Sequence, residues 1–292
     1  MASIEKFELK DWSSAFSAAT QVRAADALEN GSVLFFPELG FSPNQAERAV
    51  FSAHLARGDR KNITLDPVTG SCHGSTLEDE QQATLEALMQ RFSDAATNLV
   101  RNLIPAYGPH MERARATFRP VEIAGRSYSP KKDDRLLHVD AFPSRPTRGR
   151  RILRLFTNVN PEGHSRVWRV GESFEDFAAT FLPKLRPPNP LQAWLLSKVG
   201  ITKGKRSAYD QIMLQLHDRG KLDHEYQQSA PYEEIAFPAQ STWICFTDQV
   251  LHAALSGQFA LEQTFHLDVA HMIDKRRAPI KILERMVGME LV

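Results

Sequence analysis

The feature that most constrains the fold is a change of hydrophobic period at Arg119-Pro120. Upstream of it, apolar residues recur at helical steps. Phe16, Ala19, Val22, Ala25 and Leu28 fall three apart before Asn30-Gly31 ends the pattern, which predicts a helix over 14–30. Ser42-Pro43 reads as an N-cap followed by Pro at the first helical position, with Ala46, Val50, Phe51 and His54 on one face of a second helix. From Glu78 to Leu103 there is no Pro or Gly, and Leu85, Leu88, Met89, Phe92, Ala95, Leu99 and Leu103 form one apolar stripe, predicting a long helix over 78–104. One short strand, Ser32 to Phe36, is closed by Pro37. Downstream the runs become short or alternating and are bounded by Pro, Gly, Asp and Asn, as in 151–159, 165–170 and 242–251. Four prolines between Pro183 and Pro190, with a helical pattern over much of 191–218, read as an insertion at about 183–218 between strands. The expected class is α+β, a sandwich or barrel of strands with a helical layer from the N-terminal third packed outside it. Residues 1–292 are expected to form a single domain, 1–119 mainly the helical layer and 120–292 the β core.

Charge decides which partners are plausible. Lys and Arg number 36 against 35 Asp and Glu, a net charge of +1, so there is no global field to attract nucleic acid. The basic residues also lack the interleaved aromatics that stack on bases. Cys72 and Cys245 are too few and too far apart for a disulfide framework and are expected to be thiols in a reducing compartment. The first ten residues carry charges where a signal peptide needs its apolar stretch, and no run of about 18 apolar residues occurs, so a cytoplasmic location with at most peripheral membrane contact is expected.

The first chemical signal is His138-Val139-Asp140, just after Leu136-Leu137 in an expected strand. In an extended chain, residues i and i+2 leave on the same face, so an imidazole and a carboxylate can aim at one metal, with a second His completing a facial set that leaves positions open. With 10 His and 16 Asp in 292 residues, 10 × 16 / 292 gives about 0.5 such triplets by chance, so the pattern needs support. A second triplet, His266-Leu267-Asp268, is followed only by His271. The support for the first is His252, at the end of Ser241 to His252, a run that reads as strand, turn and then histidine. Non-haem iron oxygenases built on a double-stranded β-helix, or jelly roll, place their distal ligand in that context.

The second signal is the strand Arg151 to Asn160, with Arg154, Phe156 and Asn158 on one face and Leu153, Leu155 and Thr157 on the other. Such oxygenases need a cation for the distal carboxylate of 2-oxoglutarate, and the segment after His252 offers none at Leu261-Glu262-Gln263-Thr264. Arg154 is the first candidate anchor and Arg151 the second. Asn158, Thr264 and His266 are expected to line the same co-substrate site. The third signal is the stretch 126–169, where eleven cations face four anions, a local +7. Arg126, Arg145, Arg148 and Arg166 are the candidates for gripping an anionic substrate. His217-Asp218 and Tyr209-Asp210 are weaker candidates for lining a pocket.

Longer blocks carry a resemblance. His138 to Pro146, Arg151 to Asn160, Arg166 to Gly171, Leu214 to Asp218 and Phe246 to Gln258, with Leu34 to Pro37 and Arg60 to Ile63, together resemble the Kdo hydroxylases, and nearly end to end. Kdo is 3-deoxy-D-manno-oct-2-ulosonic acid, the inner-core sugar of lipopolysaccharide. The resemblance implies an Fe(II)- and 2-oxoglutarate-dependent dioxygenase that uses O2 to hydroxylate C3 of a Kdo unit on a lipid A precursor. It also implies a double-stranded β-helix core and His138, Asp140 and His252 as iron ligands. A Kdo carboxylate and lipid A phosphates would suit the basic stretch. Competing readings are an iron oxygenase acting on another anionic sugar or metabolite, and a metal-free β-barrel that binds an acidic glycan. The residues do not indicate an oligomeric state.

Overall fold

The computed structural model describes residues 3–58 and 60–292. Its strands are β1 (Ile4–Lys6), β2 (Val33–Phe36), β3 (Ile63–Leu65), β4 (Cys72–His73), β5 (Met111–Arg119), β6 (Arg151–Asn158), β7 (Arg166–Gly171), β8 (Tyr232–Phe237), β9 (Thr242–Phe246), β10 (His252–Ser256) and β11 (Ala260–Leu267). The α-helices are α1 (Ala18–Glu29), α2 (Gln45–Ala49), α3 (Asp79–Leu103), α4 (Phe174–Phe181), α5 (Pro190–Lys198), α6 (Ala208–Leu222), α7 (His224–Ser229) and α8 (Pro279–Val287). Eight strands form one sheet in the order β1-β2-β9-β6-β11-β5-β3-β4, and three form another in the order β10-β7-β8. Only β1 and β2 run parallel among these pairs; the rest are antiparallel.

Alternation along each strand divides the core in two. On β6, Leu153 and Leu155 point to the helical layer, where the stripe of α3, Leu85, Leu88, Met89, Phe92 and Leu99, is fully buried. Phe156 points the other way and joins Trp168, Phe237 and Trp243 between the two sheets. There the Phe237 and Trp243 rings stack at 4.1 Å, with Phe156 stacked at 5.3 Å on the other side. Both cysteines are free thiols, Cys245 buried within this aromatic layer.

Three expectations are corrected. The N-terminal 119 residues are not only a helical layer, since β1 to β5 supply five of the eight strands of the large sheet. Strand β5 hides its period because a register shift against β11 between Gln263 and Phe265 breaks its alternation, putting Arg113 on the α3 side and Arg115 and Arg119 on the other. The helix expected from Ser42 is short: Asn44 caps it through a capping box with Glu47, and His54 falls in a separate turn of 3-10 helix. No strand forms at Leu136-Leu137, because Asp133 bends the chain by accepting from the Arg135 N–H at 3.0 Å.

Candidate metal centre

His138, Asp140 and His252 converge where the two sheets open. The histidines exchange backbone hydrogen bonds: the His138 N–H donates to the His252 carbonyl at 3.0 Å and the His252 N–H donates back at 2.9 Å. Asp140 is fixed the same way, its N–H donating to the Thr247 carbonyl at 2.7 Å. The segment 138–140 is therefore seated against β10 and the turn that precedes it. One ligand-type atom of each side chain lies within 4.8 Å of the others, with His138 Nε2 at 3.9 Å from Asp140 Oδ1.

The histidine tautomers follow from their partners. His138 Nδ1 contacts the Leu136 carbonyl at 2.7 Å and His252 Nδ1 contacts the Val250 carbonyl at 2.8 Å. A carbonyl only accepts, so Nδ1 carries the proton in both rings and Nε2 keeps its lone pair for a metal. Burial holds both imidazoles below their ordinary pKa, reinforced at His138 by His252 and Lys221 and opposed at His252 by Asp140. Neutral imidazole is the ligating form. Burial alone would raise the Asp140 carboxyl, but the neighbouring Arg154 guanidinium outweighs it and keeps the group ionised. Asp140 Oδ2 is buried without a hydrogen-bond partner; Arg154 Nη1 is 3.2 Å away but not aligned as a donor. Two neutral imidazoles and an ionised carboxylate, with ligand-type atoms within 4.8 Å of one another, fit a divalent iron held by three protein ligands.

Packing fixes the set. The Trp168 ring lies against His252 at 5.2 Å and 23°. His217, on α6, meets His138 edge-on at 5.4 Å, so this histidine does line the site. One turn later Lys221 is buried, with its Nζ donating to the Lys131 carbonyl at 3.3 Å, and burial lowers its pKa.

Beside the ligands runs a chain of charges. Lys61 pairs with Asp134, Arg119 with Asp134 at 3.8 Å and with Glu262, and Arg154 with Glu262 at 3.3 Å. Arg166 is buried among them, its Nη1 donating to the Gly257 carbonyl at 3.1 Å. Gly257 has φ +119, and a Cβ there would lie 2.8 Å from Arg166, so only glycine admits this approach. Burial and the neighbouring Arg119 lower the Arg166 pKa to about 9. Arg154 Nε and Arg166 Nε are both buried without partners. With Asp140 committed to the metal, four cations (Lys61, Arg119, Arg154, Arg166) face two anions (Asp134, Glu262), so the cluster has spare donors for a carboxylate.

The expected lining is brought together in part. Arg154, Arg145, Thr264 and His266 line one cavity of 240 Å³ with Arg119 and Glu262. Arg126 and Arg166 line an adjoining recess with Lys61, Arg119 and Asp134. Arg151 is corrected as an anchor: it is on the opposite face of β6, fully buried, with Nε donating to Asp248 at 2.8 Å and its guanidinium 3.8 Å from the Phe246 ring centre. Asn158 is also corrected, since its amide donates to the His164 and Phe237 carbonyls and its oxygen accepts from the Asn160 N–H, leaving nothing for a co-substrate. Arg148 lines a different hollow with Asp268 and Lys281 and does not face the cluster. Much of the local +7 is neutralised from outside the stretch, as in Lys131 with Asp218, Arg150 with Glu112, Arg151 with Asp248 and Arg169 with Glu234. Sequence reasoning missed Arg119, Glu262, Asp134 and Lys61. The only available signal for Arg119 was its place at the end of an alternating run closed by Pro120.

A family model described as 3-deoxy-D-manno-oct-2-ulosonic acid (Kdo) hydroxylase matches residues 11–290. Among solved structures, the Kdo hydroxylase KdoO, a non-heme Fe(II) alphaketoglutarate dependent dioxygenase, in complex with alphaketoglutarate and Fe(III), is 46% identical. That match covers 99% of this chain and 97% of the other at a TM-score of 0.96. The cobalt(II) complex of KdoO is 47% identical with the same coverage and TM-score, and the complex with succinate and Fe(III) is 46% identical with a TM-score of 0.95. Among curated proteins, none matches. The mixed α/β fold, with its large sheet and eight α-helices among the described residues, is that of KdoO. A whole-length family match, a near-superimposable solved structure and a convergent two-histidine, one-carboxylate set agree, and the chain belongs to the Kdo hydroxylase family.

Proposed function

We propose that this chain is an Fe(II)- and 2-oxoglutarate-dependent dioxygenase that hydroxylates C3 of a Kdo unit carried on a lipid A precursor. The observation that carries the reading is the convergent His138, Asp140 and His252 set beside a cluster with two unpartnered guanidinium nitrogens. In this reading the large and small sheets form a double-stranded β-helix, and the whole chain is one dioxygenase domain. Iron bound there supplies dioxygen activation. The residues of the chain do the rest. Nδ1 of each histidine donates to a backbone carbonyl and so presents Nε2, while Asp140 supplies the negative charge that favours a divalent cation. Arg154, Arg119 and Arg166 hold the carboxylates of 2-oxoglutarate through the donors that Glu262 and Asp134 leave free. Trp168 and the aromatic layer behind it keep water from the far side of His252.

Arg126 and Arg145, at the mouths of the two recesses, meet the Kdo carboxylate and lipid A phosphates. No helix among the described residues is long and apolar enough to cross a membrane. The substrate is an amphiphile, so the reading places the enzyme peripherally at the cytoplasmic leaflet of the inner membrane.

The test is succinate release by iron-loaded protein on admitting oxygen, with and without Kdo-lipid A, together with mass spectrometry of the glycan. Substrate-dependent succinate with one added oxygen, both abolished by His138→Ala and by His252→Ala, is the expected result. Succinate without glycan oxidation would keep the oxygenase and discard the substrate.

A further inference from the structure

Helix α5 and the loop after it have a surface that water does not favour. Leu191, Trp194, Leu195, Val199 and Ile201 are each between 49% and 72% exposed. Of the nine helical residues only Ala193 is buried, so the helix turns its large apolar side chains outward. A contiguous patch of this kind marks an interaction surface. The charge around it has one sign. From Phe177 to Tyr209 there are six cations, Lys184, Arg186, Lys198, Lys203, Lys205 and Arg206, and no Asp or Glu. Among the described residues, Lys198, Lys203 and Lys205 make no ion pair, and Lys198 Nζ lies 5.9 Å from the Trp194 ring centre. Behind the patch, a groove of 590 Å³ between α5 and α6 carries Lys131, Arg186, Arg206 and Arg219, with Asp218 at its wall.

We propose that α5 and the loop 199–206 form a docking surface for an anionic lipid bilayer. An aromatic residue with leucines, ringed by lysines, is the chemistry that lies in the headgroup region: the apolar side chains enter the acyl boundary and the cations meet lipid phosphates. A protein partner of mixed charge would set its own cations against this one-signed surface, whereas an anionic bilayer presents phosphate to every lysine. The surface is joined to the metal loop. The Lys203 N–H donates to the Ser144 carbonyl at 2.8 Å and the Arg206 guanidinium donates to the Pro143 carbonyl, both in the segment that leaves Asp140. Docking there holds the metal centre beside the lipid surface.

This inference deepens the peripheral location put forward above by naming its surface, and it rests on that reading only for its purpose. Vesicles without glycolipid test it, so a negative result leaves the hydroxylase assignment standing. Full-length protein is sedimented with vesicles of phosphatidylglycerol and phosphatidylethanolamine, and with vesicles of phosphatidylcholine alone. Binding is expected only to the anionic vesicles and should weaken several-fold between 0.1 and 0.5 M salt, as the Debye length shrinks from about 10 Å to less than half of that. The double variant Trp194→Ser, Leu195→Ser should lower partitioning by about tenfold or more, since burying each such side chain is worth on that order. Its thermal midpoint and 2-oxoglutarate binding should stay as in the parent. The blue shift of tryptophan emission on vesicle binding should vanish in Trp194→Phe, which keeps binding. Equal binding by parent and double variant, or none by the parent, overturns the proposal. So does a parent dimer that the double variant dissolves, which would make the patch a contact between two copies.

Discussion

Arg154 touches both Asp140 and Glu262, so its guanidinium is held between a metal ligand and a structural carboxylate while its Nε stays free. Replacing it with Ala should weaken 2-oxoglutarate binding by about 10- to 100-fold, the worth of a charge-assisted forked contact. Lys at the same position keeps the charge and loses the fork, so Arg154→Lys should fall between, as read by titration of the co-substrate into anaerobic metal-loaded protein. Arg151, three residues earlier, is matched to Asp248 inside the protein and has a structural part. Asp248→Ala leaves that guanidinium buried without a counter-charge and should cost about 3–5 kcal/mol, read by urea denaturation. The two arginines show what strand alternation can and cannot tell. Period two separated Arg154 from Leu153 and Leu155 correctly, and it equally put Arg151 with the leucines, but local charge still made Arg151 look available. Its partner lies 97 residues away. Arg119 was hidden for a related reason, since its partner Glu262 lies 143 residues away.

At the scale of elements, α6 holds the loop that follows the ligand segment and packs against α4. Its N-terminus is closed by a capping box between Ser207 and Asp210, and the same Asp210 accepts from the Thr147 and Arg148 N–H groups at 2.9 and 3.0 Å. Asp210→Ala removes the cap and both loop contacts. It should lower stability by about 2–4 kcal/mol, because a cap is worth about 1 kcal/mol and hydrogen bonds to a charged acceptor are worth more than neutral ones. Calorimetry should therefore find a midpoint lower by roughly 5–10 °C. Elements whose period came from burial alone were legible: α3, β6 and β9 stand where their patterns put them. Elements shaped by polar partners were not. Strand β5 carries arginines where a core strand carries leucines, and the bend at Asp133 replaces a strand with a side-chain hydrogen bond.

For the whole molecule, pH acts through buried histidines. Burial lowers the pKa of His138, His252 and His266, so the folded protein keeps them neutral below the pH at which the unfolded chain protonates them, near 6.5. The unfolded state then binds more protons, and stability conferred by these groups is full above about pH 6.5 and declines as pH falls below it. Metal-free protein should melt progressively lower from pH 7.5 to 5.5, and iron or cobalt should raise the midpoint most at the upper end, where protons do not compete for Nε2. The reciprocal backbone bonds between His138 and His252 lead further. They set the spacing of two ligands through the sheet rather than through the ion, so little chain entropy remains to be lost when a metal arrives. Stripping with a chelator should leave the far-ultraviolet dichroism intact, and reloading should retrace the same titration curve without hysteresis.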